Sequence, residues 1–211
     1  GDITVLDDGR RIVAHSIDTI EVWDVETRQR LHTWPFPGVG DVVSHEELRS
    51  TASGDGTLLV ATAPSVTTVL DATSGESIAV VEHASPALGI AISPDASQLA
   101  IGLENGTIEV HDIDTAGRPV ATRTMGDAVR NLTWHPDGRR LAIGTTDGDL
   151  SLWDLDNDTI RWTLEGEPEP NASRVLLGAP DALFSDDGSR LVASTLVAVD
   201  GEADEGYGTI R

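Results

Sequence analysis

Five copies of one short pattern, Asp-Gly turns between runs of β-forming residues, and a near absence of helical periodicity predict an all-β fold of four-stranded antiparallel blades. Aligned on the turn, the copies read DDGRRIVAHS from residue 7, GDGTLLVATA from 54, PDASQLAIGL from 94, PDGRRLAIGT from 136 and DDGSRLVAST from 186. The second Asp, or its equivalent, falls at 8, 55, 95, 137 and 187. A period in the forties built of short β-type runs is the signature of a β-propeller, in which each repeat is one blade.

The fourth copy shows the elements of a blade in order. A first strand, RNLTW, turns through Asp137-Gly138 into a second, RRLAIGT. Asp-Gly closes a tight hairpin because both residues accept unusual backbone angles. A second turn, TDGD at 146–149, leads into LSLWD, and Asp154 opens a polar turn, DLDND, before the fourth strand, TIRWTL. The third strand ends in the same way at Asp24 (TIEVWD), Asp71 (TTVLD) and Asp112 (TIEVHD). A carboxylate there accepts hydrogen bonds from the N–H groups of the turn that follows. Runs such as LLVATA are small and apolar on both faces, as expected of strands covered by a neighbouring blade on each side.

The repeats are placed at about 1–38, 39–82, 83–125, 126–170 and 171–211, in one partial propeller domain spanning 1–211. The chain opens inside a first strand and stops at YGTIR, short of the Asp that ends the equivalent third strands. The expectation is four whole blades and about three quarters of a fifth, a fragment of a longer protein.

Composition narrows the function. The 14 cations, all Arg, stand against 36 Asp and Glu for a formal charge of −22. Nucleic acid and anionic lipid both require a basic patch, so neither is an expected partner. The absence of Cys and Lys removes thiolate nucleophiles, Cys-bound zinc, the phosphate-loop lysine and Schiff-base chemistry. No apolar run approaches 18 residues, so no membrane helix is expected.

Trp23-Asp24, Trp153-Asp154, the turns PDGRR and TDGD, and the forty-residue period resemble WD40 repeats, and the second copy resembles the YVTN style of propeller repeat. The resemblance spans almost the whole chain. It implies a ring of seven blades that serves as a non-enzymatic platform for protein partners. The family's structural tetrad joins a His, a Ser or Thr, an Asp and a Trp. Asp147 and Trp153 match it in the fourth repeat, where Met125 and Ile143 replace the other two. His83 matches in the third, where Ile101, Asn105 and His111 replace the remainder.

Several constellations carry no chemistry. DLDNDTIRWTLE at 154–165 spaces its acids like a calcium loop, but Thr159 stands where that loop needs Gly. The six His residues lack metal-ligand spacing, and no cofactor is expected. Two segments read instead as partner-binding. WPFPGVGDVVSHEEL at 34–48 joins the first two blades and carries Trp34 and Phe36, either anchors for a partner or plugs between blades. EGEPEPNAS supplies Glu165, Glu167 and Glu169, and DGEADEG at 200–206 supplies Glu202, Asp204 and Glu205 as a solvated hairpin tip.

The leading reading is a protein-binding scaffold or sensor module with a basic partner, in a larger, bacterial protein of the cytoplasm. The rivals are a propeller enzyme, lactonase-like or quinoprotein-like, with a site in the central channel, and a structural spacer.

Overall fold

In the computed structural model, residues 3–6, 9–16, 18–38, 48–115, 117–165, 175–176, 181–199 and 202–210 are described. They form five antiparallel sheets and no α-helix. Blade 1 comprises β1 (Ile3–Leu6), β2 (Arg11–His15), β3 (Thr19–Asp24) and β4 (Arg30–Pro35). Blade 2 comprises β5 (Arg49–Ala52), β6 (Leu58–Ala63), β7 (Val66–Asp71) and β8 (Ser77–Glu82). Blade 3 comprises β9 (Ala87–Ile92), β10 (Gln98–Leu103), β11 (Thr107–Asp112) and β12 (Ala121–Thr124). Blade 4 comprises β13 (Val129–Trp134), β14 (Arg140–Thr145), β15 (Leu150–Asp154) and β16 (Thr159–Leu164). Each is a simple meander in chain order. The fold is the propeller-type architecture that the repeat predicts.

Blade 5 departs from the pattern. Its strands are β17 (Val175–Leu176), β18 (Asp181–Phe184), β19 (Leu191–Val199) and β20 (Glu202–Ile210). β19 pairs with β20 along its whole length, so β17 and β18 share the other edge, end to end, in the first-strand position.

No single core exists. Apolar residues gather in four clusters, one between each pair of adjacent blades. Leu6, Val13, Ile20, Phe36, Leu59 and Leu70 fill the first, and Val60, Val69, Leu99 and Ile101 the second. Val110, Val129, Leu141 and Trp153 fill the third, and Leu150, Leu152, Ala182 and Leu191 the fourth. This division explains the double-sided apolar strands. β6, β10 and β14 each run buried over their last five residues because both faces meet a neighbour.

The first strands lie side by side, β1 by β5, β5 by β9, β9 by β13 and β13 by β18. Glycine permits the closest approach. A Cβ on Gly89 would stand 2.6 Å from the Arg130 carbonyl oxygen, inside contact distance.

The turns between first and second strands share a device that the opening Asp-Gly pattern only partly reveals. Ser53, Ser93 and Ser185 donate their hydroxyls to Asp55, Asp95 and Asp187 at 2.6, 2.6 and 2.7 Å. Each serine oxygen also accepts the N–H five residues on, from Leu58, Gln98 and Arg190. The residue after the Asp is left-handed in every case: Gly56 (φ 69°), Ala96 (φ 58°), Gly138 (φ 69°) and Gly188 (φ 68°). Only the third blade places a Cβ there. A left-handed L-residue costs about 1–2 kcal/mol, partly offset by glycine's greater chain entropy. Ala96→Gly should therefore raise stability by about 0.5–1 kcal/mol, read as a higher urea midpoint. A lower midpoint would mean that the methyl group contributes packing.

The same turns set an acid limit. The Ser185 hydroxyl and the Ser189 N–H hold the Asp187 carboxyl at about 2, below its ordinary 3.8. Burial pushes Asp137 up, but the Arg139 N–H, the Arg140 guanidinium and the charge of His135 outweigh it and leave it at about 2. A carboxyl whose folded pKa is depressed stabilises the fold fully above its unfolded value and loses that contribution as pH falls through the folded one. Stability should hold down to about pH 4 and fall between about pH 4 and 2. Asp187→Asn should flatten that fall in an acid titration followed by tryptophan fluorescence.

Candidate functional site

Strand alternation sends the loops of each blade to two opposite ends, and backbone hydrogen bonds tie each set together. At one end, the blade-to-blade connections bond to the turns between second and third strands. Phe36 N–H donates to Asp18 O, His83 to Ser65, Glu104 to Pro86, Met125 to Gly106 and Thr146 to Ala128, all at 2.8–3.0 Å. We call this the connection face. At the other end, the first turn of a blade receives the third: Val25 N–H donates to Arg10 O, Ala72 to Thr57, Ile113 to Ser97 and Leu155 to Arg139.

Arginine divides between these ends, while acids occur at both. The described loops of the connection face carry Asp18, Glu104, Asp127, Asp147, Asp149 and Glu165 and no arginine. The opposite turns carry Arg10, Arg28, Arg118, Arg139 and Arg190 among their acids. Neither segregation nor alternation is visible in the net charge.

The acidic segment near the end of the chain stands differently from expectation. Glu202, Asp204 and Glu205 lie within β20, where Glu202 pairs with Val199, Asp204 with Val197 and Glu205 with Leu196. They are on a strand and not in a hairpin tip. The physical reason is that the ladder between β19 and β20 continues out to Val199 and Glu202, so the acids are taken up in strand pairing. β19 and β20 have nine residues each, against five or six in the corresponding strands of the other blades. The three or four extra residues make each strand of this hairpin about 10–13 Å longer than its counterparts. Glu165 is exposed at the end of β16, while Glu167 and Glu169 lie outside the described residues.

Of the two readings of the aromatic pair, Phe36 takes the plug. Phe36 is 4 % exposed, packed edge-on against His15 at 5.4 Å in the cluster between blades 1 and 2. It is a plug between blades, and a buried ring offers a partner nothing. Trp34 belongs to β4 and not to the connecting loop. Its indole is half-buried, stacked on His32 at 5.2 Å and lying over Gly75 in the β7–β8 turn of blade 2.

Of the repeat positions, Asp24 and Asp71 cap their turns as expected. Asp24 accepts from the Thr27 N–H and hydroxyl at 2.6 and 2.7 Å, which lowers its pKa. Asp71 accepts from the Ser74 and Thr73 N–H groups at 2.7 and 2.8 Å. Asp154 caps through the Asn157 N–H, and its Oδ2 accepts from both Nε and Nη2 of Arg161. Asp112 accepts from the Gln98 amide at 3.1 Å.

The tetrad positions join other groups. Asp147 accepts from the Thr145 hydroxyl at 2.6 Å and closes its own turn. Trp153 donates from Nε1 to Asp158 at 3.1 Å, under the Arg123 guanidinium. Trp23 donates to Glu21 at 3.1 Å, with Arg30 above its ring. His83 Nε2 meets the Thr67 hydroxyl of blade 2 at 2.9 Å, its Nδ1 is buried without a partner, and burial lowers its pKa.

Among the described residues no group of three or more His, Asp or Glu is placed to hold a metal ion, and no helix is long and apolar enough to cross a membrane.

A family model matches residues 119–173, and its description is "Anaphase-promoting complex subunit 4 WD40 domain". The match covers the outer strand of blade 3 and all of blade 4. Curated proteins give no significant match. The matched segment and the repeated four-stranded sheets are consistent with a WD40-type repeat propeller. Such repeats are typically non-catalytic scaffolds for protein interaction.

Proposed function

We propose that the chain is a non-catalytic interaction module of a larger protein and that it receives a basic protein partner on its connection face. The observation that carries this reading is that the described loops of that face hold six acidic residues and no arginine, whereas the acids of the opposite end are interspersed with five arginines. Glu202, Asp204 and Glu205 on the long hairpin, and Glu167 and Glu169 in the connection before it, extend the same sign. A face of one sign raises the encounter rate with an oppositely charged partner and rejects like-charged ones. The matched family's description is that of a subunit of a complex, and a role in assembly is what carries over. An all-Arg cation set without Lys supports a bacterial source with a GC-rich or salt-adapted genome.

The reading is tested with two variants of equal charge. One carries Asp18→Asn, Glu104→Gln, Asp127→Asn and Glu165→Gln, all exposed on the connection face. The other carries Glu26→Gln, Glu76→Gln, Asp114→Asn and Asp186→Asn, exposed at the opposite end. Association with an arginine-rich peptide is followed by stopped-flow fluorescence at low and high salt. The first variant should slow association about threefold to tenfold at low salt and flatten its salt dependence. The second should change it little. Equal slowing would reduce the effect to net charge and overturn the reading.

A further inference from the structure

We infer that the joint between blades 2 and 3 is a proton-operated latch: a proton taken up by His83 drives its ring out from between the blades and loosens the connection at residues 83–87. The ring follows β8, at the start of that connection. Two backbone bonds hold the segment to the β6–β7 turn, His83 N–H to Ser65 O at 2.9 Å and Ala87 N–H to Pro64 O at 3.0 Å. From the ring a short chain of hydroxyls runs into blade 2. His83 Nε2 meets the Thr67 hydroxyl at 2.9 Å, Thr67 meets the Thr62 hydroxyl, and Thr62 lies 3.3 Å from the Val66 carbonyl. Thr62 and Thr67 stand two residues along their strands from Val60 and Val69, on the face that meets blade 3.

This setting suits a neutral ring only. Nδ1 is buried and has no hydrogen-bond partner among the described residues. A neutral imidazole serves Thr67 through Nε2 in either tautomer, whereas an imidazolium donates from both nitrogens. Its Nδ1 proton would then be a buried donor without an acceptor, and such a group carries its full desolvation penalty, the more so when charged. Burial accordingly holds the His83 pKa below the ordinary 6.5.

The charged groups that act on the ring come from the facing blade. Glu109 and His111 stand on β11, opposite Ile101 and Leu99 of the joint cluster. Glu109 draws a proton toward His83, and His111 opposes it. The carboxylate is already engaged. His111, 3 % exposed, sets Nε2 at 3.1 Å from Glu109 Oε2 and Nδ1 at 3.2 Å from Gly117 O. The blade 2 strands bring Thr62, Thr67 and Val81 to the joint and β10 brings Leu99, Ile101 and Leu103, all uncharged, while Glu82 and Glu104 beside the connection are exposed. A histidine whose folded pKa lies below its unfolded value keeps its joint intact above about pH 6.5 and weakens it as pH falls toward the folded value. The joint is thus closed at neutral pH and loosens on mild acidification. The aspartate turns respond only below about pH 4, so the two acid responses do not overlap.

The test is amide exchange of the 211-residue chain followed by NMR, with protection factors corrected for intrinsic rate and compared between about pH 7.5 and 5.5. Protection of the His83 and Ala87 N–H groups should fall about threefold to tenfold, the upper figure being set by one unit of titration below 6.5. The Leu155 N–H, bonded to Arg139 O in blade 4, is the control and should change little. His83→Gln keeps a donor for Thr67 and takes up no proton, so its protection should be the same at both pH values. The ring is followed separately by its C2 proton resonance, and in the unsubstituted chain it should titrate with a midpoint below 6.5. Protection independent of pH, an equal fall in His83→Gln, or a ring midpoint at or above 6.5 would overturn the inference. The ring titration decides it even where His83→Gln does not fold. The inference does not rest on the basic-partner reading, since no partner enters this experiment.

Discussion

Replacing Trp153 by alanine is expected to lower the unfolding free energy by about 3–5 kcal/mol. The same change at Trp23 should cost about 1–2 kcal/mol. The two tryptophans hold the same place in near-identical sentences of sequence, so the difference arises from packing alone. Trp153 is 1 % exposed in the cluster between blades 3 and 4, where Val110, Val129 and Leu141 surround it. Its removal leaves a cavity, strips Asp158 of a donor and takes away the ring beneath Arg123. Trp23 is half-buried, and its indole bonds within its own strand to Glu21. Urea unfolding of both variants checks the contrast. Equal losses would mean that the repeats are energetically interchangeable despite their different surroundings.

Gly89→Ala comes second. The added methyl carbon meets backbone on the neighbouring blade, the Arg130 oxygen at 2.6 Å and its carbonyl carbon at 2.9 Å, and neither can swing aside. Blades 3 and 4 must part by a few tenths of an ångström where they are narrowest. Overpacking of this kind costs about 1–3 kcal/mol, and the rigid obstacle puts the expected loss in the upper half of that range. Gly54→Ala is the control, because a Cβ there meets nothing within 4 Å and its backbone is not left-handed. Thermal unfolding should separate the two clearly. A Gly89 variant as stable as the Gly54 variant would disprove the close approach of β9 and β13.

The architecture was legible because its signals are local. Asp137-Gly138 and Asp147-Gly148 carry turn chemistry in two adjacent letters, and the spacing of the copies does the rest. The serine of the first turn was equally available, two residues before the Asp in SGDG, SPDA and SDDG, with His135 in its place in HPDG. Its role is not legible there, because a serine before a turn is common in any loop and its bond to the N–H five residues on appears only in the folded turn. For Phe36 the sequence left plug and anchor both open. Proline on both sides marks a connection, yet whether a ring on a connection points outward depends on His15 and the neighbouring blade, distant in sequence. Glu202, Asp204 and Glu205 misled for a different reason. Dense acid reads as loop by composition, whereas the Asp-Gly pair beside it is a hairpin signal that should have taken precedence.

The division of apolar packing into four separate clusters has a thermodynamic corollary. Each blade is tied only to the one before and the one after, so the fold behaves as a row of coupled units whose cohesion lies in the joints. Blade 3 is joined on both sides, through Leu99 and Ile101 to one neighbour and Val110 to the other. Blade 5 has one joint, and its other side shows Leu183 at 70 % and Val192 at 47 % exposure. Amide protons should therefore exchange most slowly in β10 and progressively faster toward blades 1 and 5, as opening proceeds joint by joint from the ends.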